Sequence, residues 1–422
     1  MERMLNKSIL DFIVMFLSNI TKKVFGFVRE LIFASIFGSS IIFSNFLLLK
    51  SVSDLLYQLT QGSALQANLL PKFSKLYSIN KEMSLSEVLN FSKGFIWKLF
   101  IVSQIVHLAI IWYIDPDNLL LFILLSILLG IVVSFTFFSS IFLTIMQGKG
   151  EFQRSAISTT VDMLVSTFVL YPLSIFFSVL GIVISRLIGL FTFMYIYIKP
   201  MIKEVKGPNI SLEIKDFSIS IMILGNFANI IMIFSRFVAG SDGGNNISFY
   251  YYSVVLLNIL LTSVILNFNT LVLRRLSIKK DVKLIFYSVF FSFLLGIGLV
   301  YVVESFGLDI IRIIFERGEF TSNDSNMTYL YAKDLSWSFV LLFISCSLFQ
   351  PYFTLDHVII GKESKFMAGL FIVAAISLCI MFLFLPTSSR DNSLIMIYGL
   401  SGLSVLMSIF SCIRYMQNIN KS

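Results

Sequence analysis

Residues 119–146 read LLLFILLSILLGIVVSFTFFSSIFLTIM and contain no charged side chain. About 20 consecutive apolar residues in a helix cross the hydrocarbon core of a bilayer, so this run predicts a transmembrane helix. Asp115 to Asn118 precede it and Gly148 to Gly150 follow it, and both groups are rich in residues that end helices. The rest of the chain repeats this pattern of a long apolar run between short polar breaks.

The composition places the whole chain in the membrane class. Hydrophobic residues make up 57% of the 422 residues, charged residues make up 13%, and the mean hydropathy is +0.89. Soluble domains are usually about 45–50% apolar and about 25% charged. The composition therefore predicts an all-α integral membrane protein.

Twelve apolar segments qualify as membrane spans. We predict them at 8–36, 41–70, 86–113, 119–146, 155–176, 178–198, 215–239, 247–273, 283–303, 328–350, 364–386 and 392–416. Spans of about 20 residues each use most of the chain, so we expect no sizeable soluble domain.

The distribution of basic residues orients these spans. Of the 32 Lys and Arg, three lie in the odd-numbered loops: Arg312, Arg317 and Arg390. Because cytoplasmic loops carry the excess of Lys and Arg, both termini are predicted to be cytoplasmic. The net charge of +8 is then a signal of topology rather than of nucleic-acid binding.

A long cytoplasmic connection divides the spans six and six. The sequence predicts an N-terminal six-helix lobe over 1–199, a linker over 200–214 and a C-terminal six-helix lobe over 215–422. In the outer loop 304–327, charged and apolar residues alternate at helical spacing, which predicts a short amphipathic helix on the outer face.

Charged residues inside the spans are the candidates for function, because each costs several kcal/mol at membrane depth unless it is paired or hydrated. The first span carries Lys22, Lys23, Arg29 and Glu30 far from its ends. The second carries Lys50 and Asp54, spaced to allow an ion pair within one helix. A surplus of cations in a polar cavity favours an anionic ligand such as a diphosphate.

Simpler interpretations stay open for these charges. Arg29–Glu30 and Lys50–Asp54 could be pairs that only shape the bundle. Lys98, Asp162, Arg186 and Arg236 occur singly in their spans. Snorkelling or local pairing would account for Lys98, Arg186 and Arg236.

Catalytic, metal and cofactor sites are not expected. The sequence contains no phosphate-binding glycine loop, zinc-protease helix or serine-hydrolase order of residues. The three cysteines lie in an apolar helical context that favours core positions, and His107 and His357 lie far apart in the sequence, which disfavours a ligand role. Transport without ATP hydrolysis by this chain is the default prediction.

Three motifs resemble those of the MurJ (MviN) lipid II flippases. The first is the stretch KVFGFVRE at residues 23–30, followed by IFG at 36–38. The second is QGSALQANLLP at 61–71. The third is IFERGEFT at 314–321, followed by Asp324 and Met327-Thr328. Their order along the chain matches the family.

The resemblance implies two six-helix lobes arranged as a V, as in the MOP (MATE-like) superfamily, with alternating access through a central cavity. It also implies that Lys23 and Arg29 are cavity cations and that Glu30 is their acidic partner. The chain departs from the family at Ser44-Asn45, at Tyr57-Gln58 and at Val254-Val255, where family members carry charged residues. Arg236 is a candidate substitute for the missing arginine near Val254.

The resulting hypothesis is a flippase in the bacterial inner membrane that moves a polyprenyl-pyrophosphate-linked glycan from the inner to the outer leaflet. Membrane lipids are its expected surroundings, and a monomer is its expected state. The predicted substrate-binding residues are Lys23, Arg29, Glu30, Lys50, Asp54 and Arg236. A flippase for an O-antigen or capsule unit, a multidrug exporter, a membrane glycan polymerase and a non-transporting assembly partner are the alternatives.

Overall fold

A computed structural model describes residues 2–60, 69, 73, 85–114, 117–199, 219–266, 268–269, 272, 276, 282–354, 357–384 and 387–419. Within this part of the chain the regular secondary structure is helical and includes no strand. The all-α class predicted from the composition is therefore confirmed.

Thirteen α-helices are described. In chain order they are α1 (Glu2–Phe37), α2 (Ile41–Thr60), α3 (Leu85–Ile114), α4 (Leu119–Gly148), α5 (Phe152–Phe177), α6 (Val179–Phe193), α7 (Ile219–Gly225), α8 (Phe227–Ala239), α9 (Asn246–Leu260), α10 (Val282–Phe315), α11 (Ser322–Phe349), α12 (His357–Phe384) and α13 (Ser389–Ile419). Short π-helices, Met194–Ile198 and Leu261–Ile265, extend α6 and α9, and the 3-10 turn Gln350–Thr354 follows α11.

Nine helical segments within the described residues are long and apolar enough to cross a membrane. They match the third to sixth and the eighth to twelfth predicted spans, which makes the chain a multipass membrane protein. The other three predicted spans correspond to α1 and α2, which carry internal charges, and to α7 with α8, which are separated at Asn226. The count of twelve crossings and the cytoplasmic termini stay predictions.

The residues predicted to form a short amphipathic helix in the outer loop are helical, but they are the last turns of α10 rather than a helix of their own. α10 continues unbroken through Phe315. Val303, Gly307, Ile311 and Phe315 are all buried at four-residue spacing, so one face of the helix stays packed beyond the predicted end of the span. A Cβ added to Gly307 would lie 3.0 Å from the Tyr329 ring of α11, so the two helices pack closely at this point. The connection between α10 and α11 is therefore only a short turn.

Two compact units divide the chain. The first comprises Met1–Ile36 and Val52–Gly225, and the second comprises Phe37–Ser51 and Asn226–Ser422. The first half of α2 thus groups with the second unit. The predicted linker 200–214 lies outside the described residues, and the predicted lobe limits stay a prediction.

The first unit is built from helix pairs in direct sequence order, with α3 against α4 and α5 against α6. An aromatic core that includes Phe137, Phe142 and Phe193 fills the space between α4 and α6. Between α3 and α4, the Gln104 amide donates to the Ser126 carbonyl at 2.9 Å and the Ser126 hydroxyl donates to the Gln104 amide oxygen at 2.8 Å. Such interhelical hydrogen bonds hold membrane helices together where the surrounding lipid is as apolar as the core.

The second unit packs α11 against α10, α9 and α13. Serine pairs join these helices at buried positions: the hydroxyl oxygens of Ser292 and Ser347 lie 2.6 Å apart, and those of Ser345 and Ser404 lie 2.9 Å apart. Small side chains at these points let the helix backbones approach closely. The unit is therefore held by small polar contacts as well as by its apolar core.

Gly38, in the turn between α1 and α2, should tolerate no side chain. Its φ is +50°, and an added Cβ would overlap the backbone carbonyl of Glu319. The hydroxyl of Tyr252 donates to the Gly38 carbonyl at 3.0 Å, which fixes the turn in place. We expect Gly38→Ala to lower the free energy of unfolding by roughly 2–4 kcal/mol, from the left-handed backbone and from overpacking together.

Thermal or denaturant unfolding of the purified protein in detergent measures this loss. Gly298→Ala is the matched control, because Gly298 lies within α10 with no atom near its missing Cβ. Alanine favours a helix over glycine by about 1 kcal/mol, so the control should be neutral or stabilising. Equal stability of the two variants would contradict the proposed role of Gly38.

Candidate functional site

The charged segment of α1 spans residues 22–30 and contains three cations and one carboxylate. Arg29 and Glu30 form an ion pair, with Nη2 and Oε1 3.3 Å apart, and Glu30 is buried. The Arg29 guanidinium also lies 5.7 Å from the centre of the Phe33 ring. The pairing of Arg29 with Glu30 that the sequence allowed is therefore present.

The two lysines of this segment have different surroundings. The Lys22 ammonium donates to the Thr159 hydroxyl on α5 at 3.1 Å, and one turn earlier the Ser18 hydroxyl donates to the Ala156 carbonyl at 2.7 Å. Lys23 is exposed. Lys22 thus helps to attach α1 to α5, whereas Lys23 lies at the surface of the first unit.

The predicted site residues of α2 fall in different units. Lys50 belongs to the second unit and Asp54 to the first, and both are partly buried. Tyr57, where the family resemblance would place a basic residue, lies within electrostatic range of Asp54, Asp162 and Arg186. Position 57 therefore carries an aromatic side chain near charges from α5 and α6 rather than a charge of its own.

Local pairing, which the sequence left open for Arg186 without naming a partner, is present within the first unit. Arg186 on α6 donates through Nη1 to both carboxylate oxygens of Asp162 on α5, at 2.8 and 2.7 Å. Gly189, one turn along α6, leaves room for this carboxylate, because an added Cβ would lie 2.6 Å from Asp162 Oδ1. The two charges that the sequence presented as single are partners.

Arg236 lies in the second unit. Its Nε donates to the Ser51 hydroxyl at 2.9 Å, its guanidinium lies 5.7 Å from the centre of the Tyr251 ring, and the residue is buried. Ser44, where the family pattern has an acidic residue, shares a hydrogen bond of 2.8 Å with Ser248. The predicted residues therefore form two sets, one in each unit: Lys23, Arg29, Glu30 and Asp54 in the first, and Lys50 and Arg236 in the second.

The third motif forms a tight turn in the second unit. Thr321 caps the start of α11, where its hydroxyl accepts from the Asp324 backbone N–H and Asp324 accepts in return from the Thr321 backbone N–H. The Ser39 hydroxyl donates to the other oxygen of Asp324 at 2.6 Å. Gly318 has a φ of +58°, which favours glycine. These motif residues therefore hold the backbone of the turn, and the second motif lies almost wholly outside the described residues.

Comparison with known proteins places this geometry in a recognisable fold. No family model and no curated protein sequence matches the chain. Among solved structures, it is similar to a MurJ lipid II flippase in an inward closed conformation, with 19% identity, a TM-score of 0.74, and coverage of 94% of this chain and 87% of that one.

Two multidrug-resistance MATE transporters of the MOP superfamily are also similar. One, in an inward-facing conformation, has 13% identity, a TM-score of 0.67, and coverage of 95% of this chain and 96% of that one. The other, in an outward-facing conformation, has 14% identity, a TM-score of 0.60, and coverage of 97% and 95%. The resemblance to the MurJ lipid II flippases is thus confirmed at the level of the fold: the chain has the fold that MurJ shares with MATE transporters.

Proposed function

We propose that this protein is a flippase that moves a polyprenyl-pyrophosphate-linked glycan, of the lipid II type, from the inner to the outer leaflet. The observation that carries the proposal is the cationic segment at residues 22–30, placed on a helix of a fold shared with a lipid II flippase. Diphosphate is the part of such a substrate that needs cations at membrane depth, since its charges are costly to remove from water.

Lys23, Arg29 and Glu30 of the α1 segment each have a defined part in this proposal. Arg29 presents a planar guanidinium that can donate two parallel hydrogen bonds to phosphate oxygens, and its pairing with Glu30 fixes its direction. Lys23 supplies an accessible point charge. Lys50, Arg236 and Asp54 complete the proposed set, with the cations contacting the head group and the carboxylates orienting them.

Alternating access between inward- and outward-open states is the proposed transport cycle. The polyprenyl chain would stay in lipid while the head group crosses. Membrane potential could contribute, because moving one charge through 100 mV changes its energy by about 2.3 kcal/mol. We further propose a bacterial inner-membrane location and a monomeric protein surrounded by membrane lipids.

A different lipid-linked glycan is the second candidate, such as an O-antigen or capsule unit. The observation that favours it is the set of neutral residues where the resemblance implies charges. Ser44 stands at one of these positions and shares a hydrogen bond with Ser248. Tyr57 and Val254 stand at two others. A multidrug exporter for cations is disfavoured, since the α1 segment would repel a cationic drug.

Lipid II exposure on the outer leaflet tests the proposal. The full chain is expressed in cells depleted of their own lipid II flippase, and exposed lipid II is measured with an extracellular probe. Restored exposure is the expected result. If protein that is inserted at a normal level restores none, and the same protein restores surface polysaccharide in cells lacking their O-antigen flippase, the second candidate replaces the first.

A further inference from the structure

A charged pocket lies within the second unit, apart from every residue of the candidate site. Its volume is about 480 Å³, and Glu304, Lys333, Asp334, Trp337, Leu394 and Tyr398 line it. These residues come from α10, α11 and α13. Ligand sites in proteins usually have volumes of about 300–1,000 Å³, so the pocket is large enough for a head group or a small molecule.

Two of the polar groups in this pocket are already engaged. The Asp334 carboxylate accepts from Arg390 at 2.5 Å, and the Tyr398 hydroxyl donates to the Asp334 backbone carbonyl at 2.5 Å. Arg390 also lies 5.5 Å from the centre of the Tyr331 ring, which holds its position. These groups form the wall of the pocket and leave Glu304 and Lys333 for a ligand.

Glu304 and Lys333 are both exposed, and neither side chain has an ion-pair partner within the described part of the chain. The pocket therefore offers one negative and one positive group. Trp337, half of whose surface is exposed, adds an aromatic face beside them. A ligand that matches these groups carries an ammonium, a phosphate and an adjoining apolar chain.

The position of the pocket along the helices suits a lipid. α10 has 34 residues, and at 1.5 Å per residue it is about 51 Å long, roughly 20 Å more than a hydrocarbon core. The predicted span ends at residue 303, so Glu304 lies at the predicted outer boundary. Tyr301 and Phe306 on either side are exposed, as expected of side chains that face lipid near the interface.

We propose that this pocket binds the head group of a zwitterionic phospholipid in the outer leaflet. The lipid ammonium contacts Glu304, the phosphate contacts Lys333, and the upper acyl chain packs against Trp337. A sugar fits the pocket less well, because the two groups best suited to its hydroxyls are already engaged. The Tyr398 hydroxyl donates to the Asp334 backbone carbonyl, and the Asp334 carboxylate accepts from Arg390. The proposal is independent of the transported substrate.

Native mass spectrometry of the full chain tests the proposal, with phosphatidylethanolamine and phosphatidylglycerol of identical chains as probes. The unsubstituted protein should bind phosphatidylethanolamine roughly threefold more tightly, as expected of one exposed ion pair. Glu304→Gln leaves Lys333 alone and should shift the preference to the anionic phosphatidylglycerol. Lys333→Gln should weaken the binding of both lipids.

Lys365→Gln is the matched control, because Lys365 is an exposed cation on α12 of the same unit. It should leave the lipid preference unchanged. Both target side chains are exposed, so their variants should insert normally, and thermal unfolding checks this. Equal binding of the two lipids, or an unchanged preference in Glu304→Gln, would overturn the proposal. Displacement of phosphatidylethanolamine by a free oligosaccharide would also overturn it, in favour of a glycan site.

Discussion

Replacing both Lys23 and Arg29 by alanine should reduce lipid II exposure by about tenfold or more in flippase-depleted cells that express the chain. Hydrogen bonds to charged groups are each worth about 1.5–3 kcal/mol, and this variant removes two cations that are proposed to bind the diphosphate. In this variant Lys22 is the one cation left in the segment, and its charge is balanced by the Glu30 carboxylate. The charge of the segment then no longer favours an anion.

Conservative variants separate binding from folding, because Arg29→Ala also leaves the buried Glu30 without its ion pair. Lys23→Arg keeps the charge at an exposed position and should keep transport. Arg29→Lys keeps the charge but loses the two-pronged donor, so an intermediate rate is expected. Lys365→Ala removes an exposed cation on α12 and should have no effect. Full transport by the double alanine variant, at normal membrane levels, would contradict the proposed role of α1.

Long apolar segments were predictable because a single physical requirement decides them. α4 and α10 are the clearest cases, since lipid excludes unpaired backbone groups and a run of apolar residues therefore forms a helix. The end of α10 was not predictable by the same rule. Hydropathy falls after residue 303, but the helix continues because Ile311 and Phe315 are packed within the protein. The Phe315 ring packs against Tyr252 of α9 and against Phe320, and contacts of this kind between distant segments cannot be found from hydropathy along the sequence.

The candidate site divides in the same way. Arg29 and Glu30 are neighbours on one helix, so their pairing could be inferred from helix geometry. Asp162 and Arg186 could not be paired from the sequence, because Asp162 lies much farther from the turn at Ser178 than Arg186 does. Their contact depends on the path of α5 and on the reach of the arginine side chain. Contacts between helices of unequal register need the three-dimensional structure.

Arg186→Ala should strongly destabilise the protein. It leaves the Asp162 carboxylate, which is mostly buried, without the guanidinium that binds both of its oxygens. Breaking a buried pair by removing one partner typically costs about 3–5 kcal/mol. Denaturant unfolding in detergent, followed by tryptophan fluorescence, should show a loss of that size.

Arg414→Ala provides the matched control, because Arg414 and Glu363 form an ion pair in the second unit that is more exposed than Arg186–Asp162. Exposed pairs contribute about 0–1 kcal/mol, so its loss should be small. Replacing both partners, as Asp162→Asn with Arg186→Gln, should restore much of the stability lost in Arg186→Ala, since asparagine fits beside Gly189 without a charge. Similar losses in Arg186→Ala and Arg414→Ala would mean that water reaches Asp162, and the pair could then take part in ligand binding rather than hold α5 to α6.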